Sequence, residues 1–296
     1  VYPTIFPMQV GFQKHGASGI EVTDWWPHLA KKVDDLCFVR NMWTTDNDHA
    51  AENQFHTGRH KLDESQPSIG AWASYGLGAL NENLPAFMVL APAAPYAGAQ
   101  TWGSDFLPGS HQGTHVIPGP NPLPHIKPKT PQEELQRLEL DFLARMNRSQ
   151  MARGAGGDPL EARIRSFETA FGMQREAPEA LDISRESDET LALYGVDRKA
   201  TSGFGWQCLA ARRLLERGVR FIELIDVGSS GNWDSHGNMA DHIRLAKAID
   251  QPVAALIADL RRRGMLERTL VVWTTEFGRT PFNATADHPG REHHNL

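Results

Sequence analysis

Three groups of acidic and histidine residues lie in the last quarter of this 296-residue sequence, at or near the ends of apolar, strand-like segments. The first group holds Asp234 and His236, the second holds Glu276, and the third holds His293. A divalent metal ion needs carboxylate and imidazole ligands that a scaffold keeps in place, and these residue types supply both. The pattern therefore predicts a metal site, provided that the three groups converge in the fold.

A fourth group lies near the amino end of the chain. Asp46, Asp48 and His49 precede a segment with helical character. The positive end of a helix dipole favours an anionic group at this position. His49 opens the helix, where its side chain would point into a phosphate or sulfate site, whereas Asp48 could equally be an ordinary helix cap.

Each group also has a simpler interpretation. The pair Asp234 and His236 has a spacing that is common in loops, and Glu276 could form an ordinary ion pair with Arg279. His293 could belong to a flexible chain end. A carboxylate directly after a hydrophobic strand, however, would be costly to bury without a cation or a donor, so Glu276 is the sharpest of these signals.

Composition limits the classes of protein that need to be considered. A content of 40% hydrophobic residues is sufficient for a substantial buried core. The net charge of -6 gives no reason to expect binding to nucleic acid. No apolar run approaches the roughly 20 residues of a membrane span. Two cysteines, Cys37 and Cys208, are too few for a disulfide framework, and both are expected to be buried thiols.

Residues 1–107 are predicted to form the first part of an α/β core. A helix over 24–35 should lead into a strand over 36–40. After a polar turn, a helix over 49–56 should end at Gly58. A helix rich in small residues over 68–80 and a buried strand over 86–90 complete this part.

Residues 108–200 are predicted to be a connector and an insertion. Seven prolines between positions 108 and 131 exclude a regular helix and indicate an extended connector. Apolar residues at 135, 138, 142 and 146 have helical spacing, and residues 158–173 show a second amphipathic pattern. We interpret this part as a Pro-rich connector followed by an inserted helical segment.

Residues 201–296 are predicted to form the second part of the α/β core, which contains the metal-site motifs. A helix over 204–217 should end at Gly218, followed by a strand over 220–227 and a long helix over 239–263. The nearly all-apolar residues 269–274 predict a strand buried on both faces, as in a parallel sheet. A strand, a helix and a second parallel strand form a right-handed crossover. This crossover places the loops after both strands at one edge of the sheet, where α/β proteins bind ligands.

The segments that carry these groups resemble a known family. The matching segments are 47–51, 203–214, 232–236, 276–281 and 290–294. Together they resemble the DUF1501 family over nearly the whole chain, and that family is similar to the alkaline phosphatase and sulfatase superfamily. The resemblance implies a three-layer α/β/α sandwich with a mainly parallel central sheet and a two-metal hydrolytic site.

The resemblance also implies roles for individual residues. Asp234, His236, Glu276 and His293 match metal ligands, and Asp48-His49 lines up with the turn that carries the nucleophile. Phe277 occupies the place of a further histidine ligand, and His49 stands where a hydroxyl nucleophile is expected. His49 could therefore form a covalent intermediate or could itself bind the metal.

The family is commonly exported with a twin-arginine signal, which implies a periplasmic or extracellular location. The family's first strand, with an acidic metal ligand, is expected upstream of Val1, and a further segment is expected after the histidine pair. The chain is therefore expected to be incomplete at both ends.

The leading hypothesis is a metal-dependent hydrolase of phosphate or sulfate esters, acting on a small anionic ester or a sulfated saccharide. Its expected metal ligands are Asp48, Asp234, His236, Glu276 and His293. The metal is expected to be zinc, or alternatively calcium or magnesium. His49 is expected to be catalytic, and Arg279 or Arg291 would neutralise the oxyanion because a guanidinium can bind it in a bidentate manner.

The alternative hypothesis is a catalytically impaired scaffold that binds sulfated polysaccharide or a protein partner. The missing histidine ligand and hydroxyl nucleophile favour it, whereas the retained clusters oppose it. Tryptophans such as Trp25, Trp26, Trp72 and Trp102 could line a sugar surface, although core packing is the expected role of most of them. The sequence does not indicate an oligomeric state.

Overall fold

Three parallel strands form the centre of the protein. The computed structural model describes residue 5 and residues 8–60, 62–128, 132–153, 157–227, 231–282 and 290–295. Strand β3 (Phe87–Leu90) lies between β4 (Thr114–Val116) and β5 (Phe221–Leu224), and both pairings are parallel. All four residues of β3 are buried, which explains its uninterrupted apolar sequence. The prediction of a mixed α/β fold with a parallel sheet is confirmed.

The hydrophobic core lies between this sheet and a layer of helices. Helix α6 (Phe204–Glu216) packs against β5 and against α7 (His242–Arg262), which continues through Pro252. Leu209 and Leu214 of α6 and Leu260 of α7 are fully buried in this core. Both helices were predicted, α7 from its apolar spacing and α6 from the glycine that ends it. Gly218 follows α6 at a φ of 85°, in the left-handed region that favours glycine.

A buried ion network links these helices to each other. Arg212 of α6 is 2% exposed and contacts Glu186 at 2.7 Å, Glu216 at 2.7 Å and Asp259 at 3.1 Å. Asp259 of α7 is fully buried and also accepts a hydrogen bond from Tyr194, the last residue of α5 (Asp188–Tyr194). Charges removed from water in this way are tolerated because each has oppositely charged partners.

Two long helices lie between the Pro-rich stretch and α5. Helix α3 (Glu133–Ala152) packs against α4 (Gly157–Leu181), and α4 packs in turn against α6. The two helical predictions are confirmed, with longer bounds than the patterns indicated. The Pro-rich stretch contains a 3-10 helix over Gly109–His111 and the short edge strand β4.

The amino-terminal part consists of short elements. A hairpin of β1 (Phe12–His15) and β2 (Ile20–Thr23) is followed by a 3-10 helix over Leu29–Asp35. The helix predicted over 24–35 is therefore shorter and of a different type. Two further helices confirm their predictions: α1 (Ala51–Thr57), which ends at Gly58 with a φ of 71°, and α2 (Ile69–Leu77), which Ser68 caps by accepting a hydrogen bond from the Ala71 amide.

Two predicted strands are wrong. Residues 36–40 and 269–274 belong to no strand, and within the described part of the chain the parallel sheet ends at β4 and β5. Leu270 is 88% exposed and Val272 is 67% exposed, where burial on both faces was expected. An apolar run indicates a tendency to be buried, but the neighbouring strand that would cover it is a property of the fold. Cys37 is exposed for the same reason, whereas Cys208 is buried as predicted.

Across the described ranges, every helix is too short or too polar to cross a lipid bilayer.

Candidate metal centre

The carboxylate of Asp234 lies at the centre of three histidine side chains. Nε2 of His49 is 3.0 Å from Oδ2 of Asp234. Nε2 of His236 and Nε2 of His293 are each 2.9 Å from Oδ1. One ligand atom each from His49, Asp234 and His293 lies within 4.8 Å of the other two. The structure thus brings together Asp234, His236 and His293, predicted as metal ligands, and adds His49 to them.

The Nδ1 atom of each of these histidines faces a hydrogen-bond acceptor. The acceptors are Glu276 for His49 at 2.9 Å, Glu292 for His236 at 3.0 Å, and the backbone carbonyl of Asn47 for His293 at 2.8 Å. An acceptor at Nδ1 keeps the proton on that nitrogen and leaves the lone pair of Nε2 available to a metal. The three rings therefore present their metal-binding nitrogens to the Asp234 carboxylate, those of His236 and His293 to Oδ1 and that of His49 to Oδ2.

The stoichiometry of protons also favours a cation at this point. His49 and His236 each lie between two carboxylates, so that both ring nitrogens face an acceptor. A neutral imidazole has one N–H and satisfies one of these acceptors. The second acceptor needs either an extra proton on the ring or a metal ion shared between Nε2 and the carboxylate. The donor set of imidazole nitrogens and one carboxylate fits zinc.

The turn before α1 positions His49. Helix α1 begins after Ala50, and no side chain caps it. Its first amides instead donate to backbone carbonyls, from Ala51 to Asp48 and from Glu52 to His49. The prediction that Asp48 caps the helix is therefore wrong. In the described part of the chain, Asp48 does not belong to the group of ligand atoms around Asp234, and its role as a ligand stays a prediction.

The loop after β5 positions Asp234. The Asp234 amide donates to the side chain of Asn232 at 3.1 Å, which turns the backbone so that the carboxylate points at the histidines. The carbonyl of Trp233 lies 2.6 Å from Nε2 of His242, at the start of α7. The Trp233 ring stacks on Trp26 with ring centroids 6.2 Å apart. Polar and aromatic contacts thus hold a loop that has no regular structure.

A short antiparallel pairing positions His293. Strand β6 (Gly278–Arg279) pairs with β7 (His293–His294), and Arg279 lies opposite His293. Three residues before His293, Gly290 packs against the loop that carries His236. A β-carbon at Gly290 would lie 1.8 Å from the carbonyl oxygen of His236, so only glycine fits there. This close approach sets the separation between the loops that carry His236 and His293.

Arg279 places positive charge beside Asp234. Burial alone would raise the pKa of Asp234, but its contacts with His293 and Arg279 and the charge of Arg279 outweigh it, and the pKa lies below its usual range. Nη2 of Arg279 donates to Asp234 at 2.5 Å, and its Nη1 donates to the Arg291 carbonyl at 3.0 Å. Arg291 donates to the Thr280 carbonyl at 2.8 Å. Both arginines border the site, and their catalytic roles stay predictions.

Glu276 lies behind His49, on the side away from Asp234. Its Oε1 atom is 2.9 Å from Nδ1 of His49, and its other neighbour is Glu52. Burial raises the pKa of Glu276 and raises that of Glu52 to about 7. The amide of Ala97 donates to the Glu52 carboxylate at 2.6 Å, which offsets part of the rise for Glu52. In this arrangement Glu276 orients a histidine, and its predicted role as a direct ligand is untested.

The comparisons with known proteins identify the family. The sequence model described as "Protein of unknown function (DUF1501)" matches residues 2–295. The chain belongs to the DUF1501 family. Searches of curated proteins and of solved structures found no match.

Three residues around this DUF1501 site were missed from the sequence. Glu52 lies three positions after His49 on α1, and Glu292 directly precedes His293, so spacing could have indicated both. The third, Tyr96, stacks on His49 with ring centroids 3.6 Å apart and accepts a hydrogen bond from Asn232 at 3.0 Å. Its place in the sequence, between β3 and β4, gave no signal for this contact.

A cavity of about 890 Å³ opens beside the DUF1501 site. Asp234 lines it together with Asn232 and Ser235 of the same loop and with Arg244 and Lys247 of α7. Of the residues at the candidate metal centre, Asp234 lines this cavity.

Proposed function

We propose that this protein is a metal-dependent hydrolase of phosphate or sulfate esters, with zinc as its metal. One observation carries the proposal: three imidazole Nε2 atoms converge on the Asp234 carboxylate, while an acceptor holds each Nδ1. Structural ion pairs between histidine and carboxylate are common, but this arrangement of inner nitrogens and outer acceptors is the one found around metal-ligating histidines. The resemblance to the alkaline phosphatase and sulfatase superfamily supports the same reaction class.

The residues would divide the work by position. His49, His236, His293 and Asp234 would hold the metal. Glu276 and Glu292 would fix the tautomer and the direction of their histidines. When bound, zinc would polarise the ester oxygen and lower the pKa of water towards neutrality.

The arginines would bind the anionic part of the substrate. The Arg279 guanidinium already lies 2.5 Å from Asp234, within reach of an oxyanion beside that carboxylate. Arg291 would assist from the neighbouring strand. The cavity beside Asp234, with Arg244 and Lys247 in its wall, would admit a small anionic ester or the end of a sulfated saccharide.

The superfamily resemblance extends the proposal to architecture and location. We infer that the parallel sheet belongs to a three-layer α/β/α sandwich. The position of the cluster, in the loop after β5 and the turn before α1, is consistent with a ligand site at the carboxyl edge of such a sheet. By the same resemblance we infer a periplasmic or extracellular location.

Turnover of aryl phosphate and aryl sulfate tests this function. The full chain, loaded with zinc, is expected to hydrolyse one of the two esters, to lose activity with a chelator and to regain it with added zinc. Asp234→Ala should abolish turnover, whereas Glu267→Ala, which removes an exposed carboxylate beyond the far end of α7, should retain it. Equal activity in the two variants would remove the proposal.

A non-catalytic protein that binds sulfated polysaccharide is the second candidate. A cluster of exposed aromatic rings favours it: Trp72 lies 6.1 Å from Tyr75 and 5.8 Å from Phe106 between ring centroids, and all three are exposed. Aromatic faces of this kind can carry sugar rings. Retention on a heparin column that Trp72→Ala weakens and that a chelator leaves unchanged, without turnover of either ester, would establish this candidate instead.

A further inference from the structure

Helix α3 carries an apolar stripe that faces solvent. Leu135, Leu138, Phe142 and Met146 are 48%, 64%, 62% and 54% exposed, although they are large side chains at helical spacing. Single exposed apolar residues are ordinary, but a continuous row of them along one helix indicates a surface that is covered by a partner. The stripe lies outside the candidate metal centre and takes no part in the function proposed above.

The stripe lies on the opposite side of α3 from the rest of the protein. Ala144 is the one buried residue among the 20 residues of α3, all of which the structure describes, and α3 packs against α4. At 3.6 residues per turn, the four stripe residues span about 80° and point roughly 160° away from Ala144. Covering the stripe therefore requires another molecule or another part of the protein, since α4 occupies the opposite face.

Charge is divided between the two halves of α3. The first half, residues 133–142, carries four acidic residues and one arginine, a net charge of -3. The second half, residues 143–152, carries two arginines and no acidic residue, a net charge of +2. Two copies of α3 side by side in parallel would place like charges together, whereas an antiparallel pair places each acidic half against a basic half.

We propose that α3 is a dimerisation surface on which two copies of this chain pair in antiparallel orientation. An antiparallel pair has the two-fold symmetry of an isologous dimer, in which one self-complementary patch covers itself. The stripe supplies the apolar contact, and the divided charge selects the orientation. A 20-residue helix is about 30 Å long, which gives an interface near the low end of specific interfaces, on the order of 1,000 Å². An interface of this size is expected to give a dimer that dissociates reversibly on dilution.

Sedimentation of the full chain over a range of concentrations tests the pairing. The mass should rise from 32.9 kDa towards twice that value with concentration. Leu138→Glu with Phe142→Glu should weaken association more than 100-fold. Leu62→Glu adds a charge at a residue that is 82% exposed outside α3, and it should leave association unchanged. Far-UV circular dichroism checks that every variant retains its helices.

Charge reversal tests the orientation. Glu134→Arg with Glu139→Arg makes both halves of α3 basic, and Arg145→Glu with Arg148→Glu makes both halves acidic. Each double variant alone should be monomeric. The protein with all four substitutions should dimerise again, because an antiparallel pair then places a basic half against an acidic half, whereas a parallel pair would keep like charges together.

Three outcomes would overturn the proposal. The first is a monomer at every concentration. The second is a dimer that the stripe substitutions leave intact, which places the interface elsewhere. The third is a monomer that binds anionic phospholipid vesicles through Phe142, which makes the stripe a lipid-facing surface.

Discussion

Substitution of Gly290 by alanine should disrupt the candidate metal centre without touching a ligand. The added β-carbon would lie 1.8 Å from the carbonyl oxygen and 2.1 Å from the carbonyl carbon of His236. Both are backbone atoms, so no side-chain rotation relieves the clash. Restoring an ordinary contact of about 3.5 Å requires the two loops to separate by roughly 1.5 Å. Metal-ligand distances tolerate only about 0.2 Å, so His236 and His293 could no longer bind one ion together.

Gly290→Ala is expected to lower zinc affinity by 10-fold to 100-fold or more. Mutation of the residues that orient metal ligands produces losses in this range. Competition with a chromophoric chelator measures this affinity directly. Gly237→Ala is a matched control, because nothing lies within 4 Å of its added β-carbon and its φ is not in the left-handed region. The control should bind zinc as the unchanged protein does. Zinc affinity in Gly290→Ala within twofold of the control would refute the described contact between the loops.

Other substitutions separate the site from the scaffold. Glu276→Gln removes the carboxylate that faces Nδ1 of His49 and should weaken zinc binding 10-fold to 100-fold in the same competition assay; an unchanged affinity would show that this carboxylate does not orient the ring. Burial raises the pKa of Glu52 from 4.5 to about 7, so the folded state retains a proton that the unfolded chain releases. The free energy of unfolding of the metal-free protein should therefore fall as pH rises through this window. Glu52→Gln should remove on the order of 1–2 kcal/mol of that fall, as urea unfolding at about pH 5 and about pH 8 would show. Identical pH dependence in both proteins would count against a raised pKa of Glu52. Arg212→Ala should lower the free energy of unfolding by about 3 kcal/mol, because it removes the buried cation that Glu186 and Asp259 share, although Arg213 still pairs with Glu186 and Arg263 with Asp259. Arg262→Ala, whose side chain is 44% exposed, should cost about 1 kcal/mol or less. Equal losses in the two arginine variants would contradict the buried network.

The parts of the fold that the sequence predicted correctly are those with strong local signals. Helices α6 and α7 have long apolar periodicities, and glycines follow both α1 and α6 in the left-handed conformation that ends a helix. Strand β3 combines a preceding proline with an unbroken apolar run. These signals reside in adjacent residues, so they can be interpreted without knowledge of the tertiary structure.

Residues 269–274 show where such reasoning stops. Their apolar composition is as strand-like as that of β3, yet they pair with no strand in the described part of the chain, and Leu270 is 88% exposed. An apolar composition indicates that burial of the segment would be favourable. It does not report whether a partner strand lies beside it, because that depends on residues far away in the chain.

The candidate site shows the same division. Residue type and motif indicated Asp234, His236, His293 and His49, because carboxylate and imidazole side chains are potential metal ligands in any fold. The contact of Glu276 with His49, 227 positions away, and the stacking of Tyr96 on the same ring arise from the tertiary fold. The predicted cap at Asp48 was wrong for a related reason: backbone carbonyls satisfy the first amides of α1.

The metal content of the purified full chain tests the central claim most directly. After dialysis against metal-free buffer near neutral pH, elemental analysis should find about one zinc ion per chain, since His49, Asp234 and His293 bring their ligand atoms together and His236 or a water would complete a tetrahedral set. Asp234→Ala should contain at least 10-fold less zinc, while Glu267→Ala should contain as much as the unchanged protein. The same low metal content in all three proteins would contradict a metal centre at Asp234 and leave the histidines as partners in ordinary ion pairs.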